Sequence, residues 1–318
     1  MEGDNGDNKG DGEIENGTSS GLTTDWSELT HECLINILSR LNLEHRWRGP
    51  LFVCKSWLGA CKDPTLHTTF DLESLFDSSA ESPRWWSPDF ERKIDFMLLS
   101  AVGWSQGSLT VIRARHCSDR SLNSVAERCP NLQVLSIKSS PNVTDLSMLQ
   151  IAFNCTKLQE LDISYCYEIS YESLVTIGRN CPNLKVLKRN LMNWLDPSQH
   201  RGIVPVEYLN ARPPDGDSEA GAVGKFMSRL QHLELQFSKL SARGLALICE
   251  GCLDLEFLDL HGCANLTRWG IVSATSNLKN LKEIKKPNFY IPRSSFNAER
   301  YGHWNLYDHR FQTNVFNI

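Results

Sequence analysis

The sequence predicts an α/β protein in which a short N-terminal, all-helical module precedes a right-handed solenoid of strand-turn-helix units. Three observations support this fold class. A dense block of apolar residues at helical spacing runs from Trp26 to about Cys61. From Leu109 onward, a leucine motif recurs about every 26 residues. Cysteines recur at two fixed positions of the same repeat, which checks the register independently of the leucines.

The overall composition is that of an average folded protein. Of the 318 residues, 41% are hydrophobic and 22% are charged, so the chain can bury a sizeable core. A net charge of -5 gives no general attraction to nucleic acid or to an anionic membrane. No apolar stretch approaches the roughly 18 to 20 residues that span a bilayer, and the N-terminus lacks the apolar segment of a signal peptide. We therefore expect a protein of the nucleus and cytoplasm, with reduced cysteines and no disulfides.

Composition divides the chain into five parts. Residues 1–25 are acidic and poor in large apolar residues, which predicts a disordered leader. Residues 26–61 form the helical module, and residues 62–107, with three prolines and three tryptophans, are predicted to be a packed connector. The repeats are expected at residues 108–287. Residues 288–318 are rich in aromatic side chains. Because a solenoid end needs a cap, capping is expected for the first half of this tail, whereas its last residues are either a partner-binding peptide or disordered.

Each repeat begins with the unit Leu-x-x-Leu or Leu-x-x-Ile. The opening residues are Leu109, Leu132, Leu158, Leu184, Leu230, Leu255 and Leu281. Most steps between them are about 26 residues long, which is the signature of a leucine-rich-repeat solenoid. Alternation within a unit predicts a strand that points Leu161 and Ile163 into the core and leaves Glu160 and Asp162 outside.

Small residues occupy two further positions of the repeat, one in the turn after the strand and one at the end of the helix. The turn position holds Cys117, Ser140, Cys166, Ser238 and Cys263. The helix-end position holds Cys129, Cys155, Cys181 and Cys252. These cysteines are predicted to be small buried apolar residues. Hydroxyl residues stand where each helix should start and are predicted to cap it, namely Ser118, Thr144, Ser170, Ser241 and Thr267. The arrangement resembles the cysteine-containing subclass of leucine-rich repeats.

One step between repeats, from Leu184 to Leu230, is much longer than the others. Arg189 takes a slot that is apolar in other units, and the segment at about 191–225 carries four prolines. An irregular insertion is therefore expected there. Long loops inside compact domains are often functional, which favours a degenerate repeat with a protruding target-binding loop. A simple tolerated insertion is nearly as well supported.

The N-terminal block resembles an F-box. The landmarks that carry the resemblance are Leu29, Ile37, Leu38, Leu41 and the cluster from Val53 to Trp57. Most F-boxes have proline after the first leucine, where this chain has Thr30. An F-box followed by cysteine-type repeats is similar to the F-box/leucine-rich-repeat adaptors of cullin-based ubiquitin ligases. Longer phrases, such as Met-Asn-Trp-Leu-Asp-Pro at residues 192–197, resemble the plant branch named Skp-interacting partners.

The resemblance implies a non-catalytic adaptor. Its F-box would bind the Skp adaptor protein and, through it, the cullin scaffold, while the repeats would hold a target protein for ubiquitination and proteasomal degradation. The gain would be a high effective concentration rather than chemistry by this chain. No cofactor, metal, nucleic acid or membrane partner is expected. A stand-alone repeat scaffold is the alternative, and an enzyme is disfavoured because repeats spread residues along a surface rather than around a pocket.

The resemblance assigns contact with the Skp adaptor to apolar residues of the module, although their pattern leaves open which of them belong to its own core. They are Leu29, Leu34, Ile35, Leu38, Leu41, Val53 and Trp57. Target contact is expected on the concave face formed by the strands, the usual binding surface of a curved solenoid. The candidates are Arg113, Arg115, Lys138, Asp162, Tyr165, Lys188, Glu234, Phe237, Asp259 and His261. The alternative is that these charges are simply solvated.

Two further chemical possibilities are disfavoured. Cys249 and Cys252 have the spacing of half a zinc site or of a redox pair. No second pair lies at suitable spacing, and Cys252 occupies a repeat position, so core packing is the favoured interpretation. A small molecule bound between the strands and the insertion is disfavoured because six or seven units form a shallow arc.

Overall fold

The computed structural model describes residues 26–78, 81–209 and 214–287. The predicted leader, residues 1–25, and the predicted cap and tail, residues 288–318, lie outside the described residues, so both stay predictions. Within the described part, an N-terminal group of helices is followed by one series of parallel strands and helices, as the sequence predicts.

The N-terminal module contains three α-helices, which are α1 (His31–Ser39), α2 (Leu43–Arg48) and α3 (Lys55–Cys61). The hydroxyl of Thr30 accepts a hydrogen bond from the backbone N–H of Cys33 at 3.3 Å. A hydroxyl cap therefore starts α1 where most F-boxes have proline. A small separate core lies between the module and the residues that follow it, and it consists of Leu34, Leu38, Ala60, Cys61 and Leu66.

The strands form one parallel sheet in which each strand pairs with the next along the chain. They are β1 (Thr69–Asp71), β2 (Val111–Arg115), β3 (Val134–Lys138), β4 (Glu160–Asp162), β5 (Val186–Lys188), β6 (His232–Glu234), β7 (Phe257–Asp259) and β8 (Glu283–Lys285). One apolar residue from each strand lies in the same row, from Phe70 through Ile112 to Ile284. This row forms the centre of the core because it is fully buried from β1 to β7.

The helices that follow β1 are α4 (Glu73–Asp77), α5 (Pro88–Ser105), α6 (Asp119–Arg128), α7 (Asp145–Asn154), α8 (Tyr171–Asn180), α9 (Val206–Leu209), α10 (Gly216–Phe226), α11 (Ala242–Gly251) and α12 (Arg268–Thr275). Of these, α5 to α8 and α10 to α12 pack side by side behind the sheet. The five predicted hydroxyl caps are confirmed, because each side chain accepts a backbone N–H at the start of its helix. The caps also join neighbouring units. Asp119 of α6 accepts from the backbone N–H and the hydroxyl of Thr144, at 2.9 and 2.6 Å.

The cysteines of the two repeat positions are buried, as predicted, and most of their thiols contact a neighbouring unit. The Sγ atom of Cys166 lies 3.1 Å from the carbonyl oxygen of Ile137, and that of Cys263 lies 3.0 Å from the carbonyl oxygen of Leu235. Burial raises the pKa of Cys166 and Cys263 to about 12. Each thiol therefore keeps its proton at neutral pH and can donate it to the preceding unit.

The sheet begins earlier than the sequence predicts. β1 and α5 lie within residues 62–107, the segment predicted as a packed connector, yet β1 pairs with β2 in the register of the repeats. The register places His67 and Phe70 in the slots that Leu109 and Ile112 fill in the next unit. This unit lacks the Leu-x-x-Leu signature, so a search for leucines alone does not find it.

The insertion is shorter than the predicted 191–225. Its last part is α10, which packs between α8 and α11 as the regular helix of its unit, while β5 pairs directly with β6. The irregular segment therefore ends at about residue 215. The sequence of α10 hides its role because its buried face consists mainly of small residues, including Ala220, Ala222 and Val223.

Candidate functional site

The helical module exposes several large apolar side chains. Phe52 is 79% exposed, and its neighbour Val53 is also exposed. Trp26 and Ile37 are the other large apolar residues of the module that face solvent. We call these four residues the module patch. Large apolar side chains left exposed on a small unit are candidates for a protein-binding surface.

The module patch differs from the predicted adaptor-binding set. Leu34 and Leu38 are fully buried in the small core, so the prediction that they contact a partner is wrong for this structure. Four other predicted residues, Leu29, Ile35, Leu41 and Trp57, are half-buried and pack against the same core. Val53 is exposed as an interface residue should be. Trp26, Ile37 and Phe52 were not among the predicted contact residues; the signal for them is that the block holds more apolar residues than so small a core can bury.

The module packs directly against the solenoid. The ring of Trp47 stacks on that of Trp104 of α5, with centroids 5.2 Å apart. Leu43 belongs to the core of the solenoid, and the Nη1 atom of Arg46 donates a hydrogen bond of 2.7 Å to the carbonyl oxygen of Leu66, in the segment that leads into β1. These contacts hold the module patch in a defined position relative to the strands.

The charged side chains of the strands lie in register on the face opposite the helices. One row contains Asp71, Arg113, Ser136, Asp162, Lys188, Glu234, Asp259 and Lys285. Five of the predicted target-binding residues belong to this row, and Arg115 and Lys138 follow two positions later on β2 and β3. The structure thus brings the predicted charged residues together on one face. Whether a target binds there stays a prediction.

In the first half of the face, each cation is shared by two carboxylates. Arg113 contacts Asp71 at 3.3 Å and Glu160 at 3.8 Å. Arg115 contacts Glu73 and Asp77 at 2.6 and 2.7 Å, and Lys138 contacts Glu73 and Asp162 at 3.0 and 3.5 Å. We call these eight residues the acidic network.

Burial and hydrogen bonding have opposite effects on the acids of this network. Burial acts to raise the pKa of Glu73, but hydrogen bonds from Arg115 and Lys138 outweigh it and lower the pKa. Asp162 is more deeply buried, and burial raises its pKa despite the charge of Lys138. The prediction that Asp162 points away from the core is confirmed by its register, but the side chain is covered rather than free.

The second half of the face combines ion pairs with aromatic rings, and Glu234 contacts both Lys188 and the ring of His232. Lys188 pairs with Glu234 at 3.2 Å, and Lys285 lies 3.6 Å from the buried carboxylate of Asp259. The rings of His232 and Phe257 stack with centroids 4.2 Å apart. Nearby, the ring of His261 lies edge-on to Phe237, with centroids 5.4 Å apart.

The insertion, predicted as a protruding target-binding loop, is anchored to the rest of the fold near both ends; its binding of a target stays a prediction. The backbone N–H of Met192 donates to the hydroxyl of Tyr167 at 2.9 Å, and the indole N–H of Trp194 donates to the carbonyl oxygen of Phe237 at 2.7 Å. At its far end, the ring of Tyr208 lies 4.8 Å from that of Trp86. The insertion therefore connects the turn after β6 with the segment before α5.

Several residues that follow the strands have left-handed backbone conformations, which cost energy in residues other than glycine. His116, Ser139, Tyr165 and Phe237 have φ between 51° and 64° at equivalent repeat positions. Tyr165 is half-buried, and burial raises its pKa. His116 is 3% exposed and is surrounded by aromatic rings, which are those of Phe76, Trp85, Trp86 and Phe90.

The buried imidazole of His116 makes stability depend on pH. Burial, assisted by the charge of Arg115, lowers the pKa of His116 to about 3. In the unfolded chain a histidine titrates near 6.5, so below that pH only the unfolded state takes up the proton, and stability falls as the pH drops toward 3. Between about pH 7 and about pH 5, we expect the free energy of unfolding to fall by about 2 kcal/mol more in the wild type than in a His116→Phe variant. Phenylalanine suits the backbone, since Phe237 has φ of 56° at the same repeat position. Urea unfolding at both pH values tests this, and equal pH dependence of the two proteins would refute it.

Two kinds of feature are absent from the described residues. None of the helices described is long and apolar enough to cross a membrane. Across residues 26–78, 81–209 and 214–287, there is no group of three or more His, Cys, Asp or Glu side chains that could hold a metal ion.

A helical module with an exposed apolar patch, packed against a solenoid of leucine-rich repeats, defines the class of F-box/leucine-rich-repeat proteins. The chain is 61% identical to F-box protein SKIP1 of Arabidopsis thaliana over 297 aligned residues. The aligned residues cover 93% of this chain and 98% of that relative. It is also 59% identical over 295 residues to the putative F-box/LRR-repeat protein 19 of the same plant, and this alignment covers 93% of this chain and 97% of that relative. The chain belongs to the plant F-box/leucine-rich-repeat family of the Skp-interacting type.

More distant similarities were also found. F-box protein SKIP19 of Arabidopsis thaliana is 31% identical over 270 residues, which cover 84% of this chain and 79% of the relative. No family model matches the chain. A crystal structure of the Rad7 and Elc1 complex from yeast covers 71% of this chain and 78% of that chain, with 12% identity and a TM-score of 0.26. This value is too low to support a structural argument.

Proposed function

We propose that this protein is the target-recognition adaptor of a Skp–cullin–F-box ubiquitin ligase. The module patch would bind the Skp adaptor protein, which connects it to the cullin scaffold, and the concave face would hold a target protein for ubiquitination and degradation. F-box/leucine-rich-repeat proteins as a class are typically non-catalytic subunits, so the proposed role is one of positioning. A nuclear and cytoplasmic location is part of the proposal.

The observation that carries the proposal is the exposure of Phe52 and Val53 on a module that is fixed to the solenoid. Covering such side chains removes apolar surface from water, which is worth about 25 cal/mol for each Å². Because Trp47 and Leu43 pack against the solenoid, a partner on the module patch would stand at a defined distance from a target on the strands. Fixed geometry of this kind raises the effective concentration of target and ligase.

The adaptor interaction can be tested with a double variant, Phe52→Ser with Val53→Ser, in the full chain. We expect its affinity for purified Skp adaptor protein, measured by isothermal titration calorimetry, to fall by about thirtyfold or more, as for a central interface residue. The matched control is Phe153→Ser with Val272→Ser, which removes side chains of the same types that are also exposed, on α7 and α12. The control should bind like wild type. Unchanged affinity in the first variant, or no binding by wild type, would contradict the proposal.

A further inference from the structure

The acidic network has an uncompensated negative charge. It contains five carboxylates, those of Asp71, Glu73, Asp77, Glu160 and Asp162, but only three cations. Extending the network to Lys188 and its partner Glu234 adds one charge of each sign and leaves the imbalance unchanged. The first half of the concave face is therefore acidic, whereas the ion pairs of the second half are balanced.

Sharing leaves part of this negative charge available to a partner. A cation that bridges two carboxylates neutralises only one of them, and the other still attracts positive charge. Asp77 is well exposed, and Asp71 and Glu160 are partly exposed. These three carboxylates can therefore be reached without opening the fold.

A second and independent feature of the same surface is the hydroxyl of Ser136. Its side chain is 2% exposed, and no residue in the described part of the chain makes a hydrogen bond with its Oγ atom. The register places Ser136 between Arg113 and Asp162, on the floor of the acidic network, because the adjacent Leu135 and Ile137 point into the core. Buried hydroxyls normally have a partner, so this atom is available to a group that enters from the concave side.

From these observations we propose that the acidic network is the docking surface for a basic segment of the target protein. The inference rests on the proposed function and specifies the chemistry of its target site. The four strands β1 to β4 span about 14 Å, at roughly 4.8 Å between neighbours. An extended segment of about four or five residues covers that distance. Two lysine or arginine side chains on such a segment would offset the excess charge, and the segment could supply a hydrogen-bond partner to Ser136. A nucleic acid or a phosphorylated segment would be repelled.

The test uses the full chain and two fluorescein-labelled eight-residue peptides of glycine and serine. One peptide carries two arginines three positions apart, and the other carries two glutamates at the same positions. We expect the arginine peptide to bind at least about tenfold more tightly in fluorescence anisotropy at low salt. Raising the salt from about 50 to about 200 mM should weaken its binding, because exposed charges are screened. Equal binding of the two peptides, or no binding of the arginine peptide up to about 1 mM, would overturn the proposal.

A variant pair locates the binding site. Asp77→Asn with Glu160→Gln removes two charges, while Arg115 keeps Glu73 and Arg113 keeps Asp71 as partners. We expect this variant to bind the arginine peptide about fivefold to tenfold more weakly. The control, Glu127→Gln with Glu250→Gln, makes the same change of charge on exposed residues of α6 and α11 and should alter binding less than about twofold. Equal losses in both variants would overturn the proposal. Skp binding is measured on the same samples: if it persists while the peptides fail to discriminate, only this inference is lost.

Discussion

Replacement of Glu219 with alanine is expected to lower the free energy of unfolding by about 3 to 5 kcal/mol. Glu219 of α10 is the counter-ion of Arg189, and their side chains are 5% and 1% exposed. The Nε atom of Arg189 lies 3.0 Å from the carboxylate. The Nη1 atom of Arg189 also donates to the carbonyl oxygen of Cys166 at 2.6 Å, and Nη2 donates to that of Ile169 at 2.8 Å. The variant leaves a guanidinium buried without an opposite charge, which is among the most costly single changes in a protein.

Urea unfolding followed by circular dichroism measures this effect. The matched control is Glu256→Ala, which breaks the exposed pair with Lys282 at 2.5 Å and should cost less than about 1 kcal/mol. The double variant Arg189→Leu with Glu219→Leu leaves no buried charge. Its loss in free energy of unfolding should therefore be smaller than the sum of the losses of the two single variants. A loss below about 1 kcal/mol in Glu219→Ala would show that the pair does not hold α10 against the preceding unit.

A second large loss of stability is expected from Gly251→Ala. A Cβ atom at this position would lie 1.7 Å from the carbonyl oxygen of Gly224, in the facing helix α10. Neither helix can relieve this contact by moving a flexible side chain, because the obstructing atom belongs to the backbone. The two helices must separate, and we expect the free energy of unfolding to fall by about 2 to 3 kcal/mol or more. Thermal unfolding at neutral pH should show a clearly lower Tm.

The control for this prediction is Gly103→Ala in α5. A Cβ atom there has nothing within 4 Å, and alanine is favoured over glycine inside a helix by about 1 kcal/mol. Gly103→Ala should therefore be neutral or slightly stabilising. If Gly251→Ala were as stable as Gly103→Ala, the two helices α10 and α11 could not approach each other as closely as in this structure.

The repeat fold was predictable because one residue type serves one role in each unit. Leucine or isoleucine fills the core row of the recognised repeats, serine or threonine caps most of their helices, and cysteine or serine occupies the turn, so the period can be read from any of the three. Prediction failed where a unit meets the same need with other residues. The first unit uses His67 and Phe70 in place of two leucine-row residues, and α10 packs through glycine and alanine rather than leucine.

Arg189 shows why the extent of the insertion could not be read from the sequence. An arginine in an apolar slot indicates irregular structure, but here its guanidinium is satisfied by carbonyl oxygens and by Glu219, 30 residues further along the chain. Such a partner is known only after the helices have been placed. Arg189 therefore occupies a regular position of the repeat, and only its side chain differs from the apolar residues found there in other units.

The candidate site was predicted in its position but not in its individual residues. Spacing identified the module, yet it could not separate residues that build the small core, such as Leu34 and Leu38, from residues that face outward, such as Phe52. Similarly, strand alternation placed Arg115 and Lys138 on the concave face, but not their shared pairing with Glu73. Glu73 belongs to the unit that the leucine pattern missed, so the excess of acidic residues was not visible in the sequence.

Hydrogen exchange of the full chain, with and without the Skp adaptor protein, tests the central claim most directly. If the module is the docking element and the strands are kept for a target, the adaptor should slow exchange at residues 26–58 and leave β2 to β8 unchanged. Protection that falls on the concave strands, or none at all in the module at saturating adaptor, would contradict this division of labour.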